Sequence, residues 1–84
     1  MNKYELSIIL DAKATPAKIK AVTEKITKMV ELVKGKIGKA TDFGEKAYGI
    51  VLMFPLELAA DAAKGILTKV RQDEDVIKQL MIRI

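Results

Sequence analysis

Asp73, Glu74 and Asp75 form the densest run of chemically capable side chains in the chain. Three carboxylates could hold a hard cation, but oxygen cages space their ligands along a loop, as EF-hands do, and adjacent carboxylates fit a solvated turn better. A second candidate surrounds Pro16, where Lys13 and Lys18 flank an expected helix start and could meet an anion at its free N–H groups. No glycine-rich loop accompanies them, and solvated surface charge is the plainer reading. The third set is basic. Lys34, Lys36, Lys39 and Lys46 gather around one short segment, with Lys3 and Arg83 near the two ends of the chain. Such a set could track phosphates, and lysines on an edge strand also block unwanted strand pairing; the two readings stand level.

Composition narrows the chemistry. The 84 residues include no His and no Cys. Disulfides, thiolate sites, the usual zinc ligands and the usual general base at neutral pH are thereby excluded. The remaining carboxylates are otherwise scattered, so no catalytic residue, no metal and no cofactor are expected. Fifteen Lys and Arg against eleven Asp and Glu leave a net charge of +4, which suits a polyanionic partner and suits plain solubility equally. No apolar run approaches the roughly 20 residues that span a bilayer, and the N-terminus lacks a signal-like pattern. The expectation is a cytoplasmic protein, folded as one domain over residues 1–84, near the lower size limit for a self-sufficient core.

The elements that must position these groups follow from periodicity. Tyr4, Leu6, Ile8 and Leu10 share one face of a strand, and Glu5, Ser7 and Ile9 the other. Thr15 and Pro16 make a helix start, and Ile19, Val22, Ile26, Met29, Val30 and Val33 recur at helical spacing to about Lys34, with Gly35 as a left-handed cap. Residues 36–41 read as a weak edge strand and residues 42–46 as turn chemistry. Residues 47–54 form a near-continuous apolar strand that Pro55 should end. A second helix is expected over about 57–72, then the acidic turn, then a closing strand from Val76. The order β-α-β-β-α-β, with right-handed crossovers, is the ferredoxin-like α+β sandwich: a four-stranded antiparallel sheet with two helices on one face. The other face, expected to carry Glu5, Ser7, Ile9, Gln79, Met81 and Arg83, stays open. RNA-recognition modules stack bases on such a face, but their glycine-aromatic pattern is missing, Tyr4 falls on the core side, and only Tyr48 or Phe54 could serve.

Residues 3–10, the helix through Glu24 and Lys25, the passage from Gly35 through Asp42-Phe43-Gly44-Glu45-Lys46, and the ending 73–83 together resemble the family of the sixth protein of the bacterial small ribosomal subunit. The resemblance spans nearly the whole chain. It implies a non-enzymatic domain that binds small-subunit ribosomal RNA beside a protein partner, the eighteenth protein of the same subunit. On the resemblance, Lys3, Lys46 and Arg83 are candidate RNA contacts and Phe43 and Tyr48 candidate partner contacts; Lys36 and Lys39 join the RNA candidates from the basic set around the second strand. One departure stands out. The family's second strand continues past the Asp-aromatic-Gly step into a protruding basic hairpin, whereas here residues 47–50 pass directly into 51–54, and the tail beyond Ile84 is absent as well. That departure supports a second reading, an engineered or redesigned scaffold of this fold with no selected activity. In isolation a monomer is expected.

Overall fold

Strict alternation along the first strand sets the layout. In the computed structural model, which describes residues 1–84, β1 spans Asn2–Leu10 and sends Tyr4, Leu6, Ile8 and Leu10 into the core. Helix α1 covers Pro16–Leu32 and begins as its sequence dictates, with Pro16 in the first turn and Thr15 Oγ1 accepting the Lys18 N–H at 3.2 Å. It ends differently from expectation. Lys34, not Gly35, takes the left-handed conformation (φ 60°), while the Gly35 N–H closes onto Val30 O at 2.9 Å and the Lys34 N–H onto Glu31 O at 3.0 Å. Gly35 is needed for space instead, because a Cβ there would overlap Leu58 Cδ2 and crowd Glu57 O.

Of the expected edge strand 36–41 only β2 (Lys36–Ile37) and Thr41 are strand, and β3 (Thr41–Lys46) takes in the residues expected to turn; β2 and β3 both pair with β4 (Gly49–Leu58). The sheet therefore has five strand segments in four positions, β2-β4-β1-β5, with β3 continuing β2's edge along β4. Pro55 does not end β4. Its carbonyl accepts the Gly38 N–H at 2.8 Å, so the side of Pro55 that lacks an N–H faces the interruption between β2 and β3, and no ladder bond to β1 is lost. With the strand extended, Ile50, Leu52, Phe54, Leu56 and Leu58 all lie buried on one face, each contributing about 1.5–3 kcal/mol of transfer free energy. Helix α2 consequently starts late, at Ala60–Arg71, and Leu58 and Ala59 lie outside it.

Residues 42–46 do not make the hairpin turn. Asp42 opposes Leu52 and Gly44 opposes Val51, so Phe43 is an extra residue, a β-bulge in which Gly44 has φ 79° and Asp42 Oδ1 accepts its N–H at 2.7 Å. The turn is Ala47-Tyr48, closed by the Lys46–Gly49 pair. Gly49 (φ 132°) is obligatory there, since any Cβ would overlap Leu10 O.

Strand β5 (Val76–Arg83) runs antiparallel to β1, and its register shifts between Ile9 and Leu10. Both helices lie on one face, where Val22, Ile26 and Val30 of α1 and Ala63, Ile66 and Val70 of α2 complete a single core of 16 residues with the inward residues of β1, β4 and Val76. No helix is long and apolar enough to cross a membrane.

Candidate nucleic-acid interface

The register of β5 decides what the open face carries. Ile9 opposes Lys78, Ser7 opposes Leu80 and Glu5 opposes Ile82, so Lys78, Leu80 and Ile82 stand on the open face beside β1. Gln79, Met81 and Arg83, expected there from simple alternation, oppose Ile8, Leu6 and Tyr4 and lie on the helix side. The cause is Ile77, the extra residue between Val76, which faces Leu10 in the core, and Lys78. Simple alternation puts the more apolar set, Val76, Leu80 and Ile82 with Lys78, in the core, and the extra residue at Ile77 reverses all of it after Val76.

The five candidate RNA contacts fall into two groups. Lys3 and Lys36 both oppose Glu57, from β1 and β2 respectively, forming a row of two cations about one carboxylate across one end of the sheet. Lys3 Nζ is 4.0 Å from Glu57 Oε1, with 71% of the lysine side chain exposed, a contact too long and too wet to hold the cation back. A shallow hollow of about 330 Å³ lies at this end, lined by Lys3, Lys36, Pro55, Glu57 and Ile84 among others. Arg83 sits at the same end but toward the helix side, its Nη2 donating to Asn2 Oδ1 at 3.1 Å. Lys39 is exposed in the interruption between β2 and β3. Lys46 is remote: it opposes Gly49, eight residues along β4 from Glu57, roughly 26 Å at strand rise.

The two candidate partner contacts share the Lys46 end. Phe43 projects from the bulge 51% exposed, and Tyr48 projects from the turn 63% exposed. Tyr48 closes a groove of about 460 Å³ on the open face, floored by Ile9, Val51 and Leu80 and edged by Ser7 and Lys78. Lys78, Leu80 and Ile82 were invisible as surface groups in the sequence, and only the bulge at Ile77 reveals them. Phe54, the other aromatic considered for base stacking, is wholly buried.

The acidic turn has a structural role. Asp75 Oδ1 lies 3.4 Å from Lys18 Nζ, and Asp73 meets Lys25, so the carboxylates face lysines of α1. Lys18 is thereby engaged, and Lys13 donates its N–H to Asp11 Oδ1 at 2.8 Å in the loop before the helix. No group of three or more metal-capable side chains comes together.

A family model described as ribosomal protein S6 matches residues 3–83. No curated protein sequence matches, whereas 97 chains of solved structure do. The 30S ribosomal protein S6 of Thermotoga maritima is similar with a TM-score of 0.86 at 19% identity, covering 99% of this chain and 87% of that one. The C-terminal domain of the MgtC protein of Mycobacterium tuberculosis follows at 0.82 and 10% identity, over 100% of this chain and 88% of that one. The P2 domain of the chemotaxis kinase CheA, solved in complex with the response regulator CheY of Thermotoga maritima, gives 0.67 at 10% identity, over 99% and 98%. At such identities these structures share the fold alone.

Proposed function

The chain belongs to the ribosomal protein S6 family, and on that premise we propose that it is a non-enzymatic component of the small ribosomal subunit that binds ribosomal RNA beside a protein partner. The observation that carries the reading is the family match, which runs from residue 3 to residue 83 and leaves almost nothing outside it. Location on the ribosome follows from the same premise.

Charge placement supports a division of labour. Lys36, Lys39 and Lys46 form no ion pair, and Lys3 makes only the long contact to Glu57. Lys3, Lys36, Lys39 and Arg83 are proposed to follow phosphates at one end and edge of the sheet, with Lys46 a separate contact at the other end. Phe43 and Tyr48 are proposed to meet the protein partner, the eighteenth protein of the subunit, since both rings are exposed at one end of the sheet and Tyr48 lines an apolar groove there.

Mixing the chain with that protein and a central-domain ribosomal RNA fragment tests the assignment. Lys3→Gln and Lys36→Gln are expected to weaken RNA binding with the partner contact intact, and Phe43→Ala with Tyr48→Ala to do the reverse. If neither pair of substitutions changed either association, the assignment of these surfaces would fail.

A further inference from the structure

The two outer edges of the sheet are treated in opposite ways. The β2–β3 edge is interrupted between Ile37 and Thr41, bulged at Phe43, and carries Lys36, Lys39, Asp42, Glu45 and Lys46, so it presents no continuous ladder. The β5 edge is unbroken after the extra residue at Ile77 and carries only two charges, Lys78 and Arg83. It ends the sheet, pairs only with β1, and exposes Leu80 (57%) and Ile82 (50%), with Ile84 following. The Ile84 N–H donates to Lys3 O at 2.9 Å, the bond that flanks the Tyr4–Arg83 pair, so the N–H and C=O of Arg83 point away from β1. By alternation those of Met81 and Gln79 do so too.

We propose that this edge binds a second copy of the chain, β5 against β5, antiparallel about a twofold axis at Met81. Four features favour this occupant. The register pairs every residue of the regular stretch 78–84, and it joins the outward backbone groups of Met81 to Met81 and of Gln79 to Arg83 of the other copy. On the open face Leu80 meets Ile82 of the other copy, extending the apolar strip across both sheets. Lys78 falls opposite Ile84 and Arg83 opposite Gln79, so no like charges confront each other in a chain whose net charge is +4. The contact is small and should form a weak dimer.

Sedimentation from micromolar to millimolar concentration is expected to show reversible growth from 9.3 kDa toward twice that mass. Amide exchange at high concentration is expected to slow selectively at Gln79, Met81 and Arg83, because Leu80, Ile82 and Ile84 already face β1. Gln79→Glu, which sets a carboxylate against Arg83 at both symmetric positions, is expected to tighten the dimer roughly threefold to tenfold, and Gln79→Lys to weaken it comparably. Lys20→Gln and Glu24→Gln make the same changes in net charge on exposed α1 positions and are expected to have little effect. A mass of one chain at every concentration overturns the proposal. So does a dimer that responds to the α1 controls as strongly as to Gln79, because that association would lie elsewhere.

Discussion

Lys25 Nζ lies 2.9 Å from Asp73 Oδ2, fastening the middle of α1 to the turn that launches β5. The Asp73 side chain is only 8% exposed. Burial alone would push its carboxyl up, but the Lys25 hydrogen bond and charge, with the Asp75 N–H at 2.9 Å on its other oxygen, hold it below its ordinary value of 3.8. Stability from this carboxylate is therefore present above pH 3.8 and is lost as pH falls through the depressed folded value. Lys25 shifts the other way, raised above 10.5 chiefly by its hydrogen bond to Asp73, so its share is present below 10.5 and lost as pH rises through the raised value. Unfolding by urea across pH 2–7 is expected to show a steeper acid limb in the native chain than in Asp73→Asn, and the variant to be about 1–2 kcal/mol less stable at pH 7. Parallel acid limbs would mean the pair contributes nothing.

Three backbone positions give opposite expected outcomes. Gly49→Ala forces a Cβ into Leu10 O at φ 132° and is expected to cost several kcal/mol, about 2–4, or to abolish folding. Lys34→Gly relieves a left-handed lysine and is expected to stabilise by about 0.5–1 kcal/mol. Gly65→Ala fills open space in the interior of α2 and is expected to add a similar amount. Thermal melts of the three variants check the ordering.

The two phenylalanines separate stability from recognition. Phe54 fills the centre of the core, and Phe54→Ala is expected to cost about 3–5 kcal/mol, while Phe43→Ala, on an exposed bulge, is expected to stay within about 0.5 kcal/mol of the native chain. Chemical denaturation measures both directly. A large loss for Phe43→Ala would show that the bulge holds the edge together and is not a free surface.

Glu57 is the one carboxylate between Lys3 and Lys36, so Glu57→Gln is expected to strengthen RNA binding and to steepen its decline with added salt. Filter binding at two or three salt concentrations suffices. An unchanged salt slope would remove the Lys3–Lys36 row from the RNA surface.

The order of elements and the core face of β1 were legible because four apolar residues alternate there without ambiguity, and the start of α1 because Thr15 and Pro16 have few other uses together. Three things were hidden for physical reasons. Pro55 read as a strand end because a missing N–H is costly in a ladder, yet the interruption beside it, at Gly38, removes that cost. Asp42, Gly44 and Lys46 carry turn chemistry that a bulge uses equally well, so the turn itself, at Ala47-Tyr48, was misplaced by a few residues. The open-face residues of β5 depended on one extra residue at Ile77, and a shift of one reverses every side chain after it. The candidate basic and aromatic residues are all exposed, the basic ones as their type suggests, but their separation into two ends of the sheet emerges only from strand register.

Specific binding of small-subunit ribosomal RNA is tested most directly by titrating the chain with a central-domain ribosomal RNA fragment and with an unrelated RNA of equal length, over a salt series, with and without the eighteenth protein. The expected result is tighter binding to the ribosomal fragment by at least about tenfold, a preference that persists as salt rises, and further tightening when the partner is present. Equal, feeble and wholly salt-driven binding to both RNAs, unaffected by the partner, would contradict the claim and leave the chain a folded scaffold of this family without its activity.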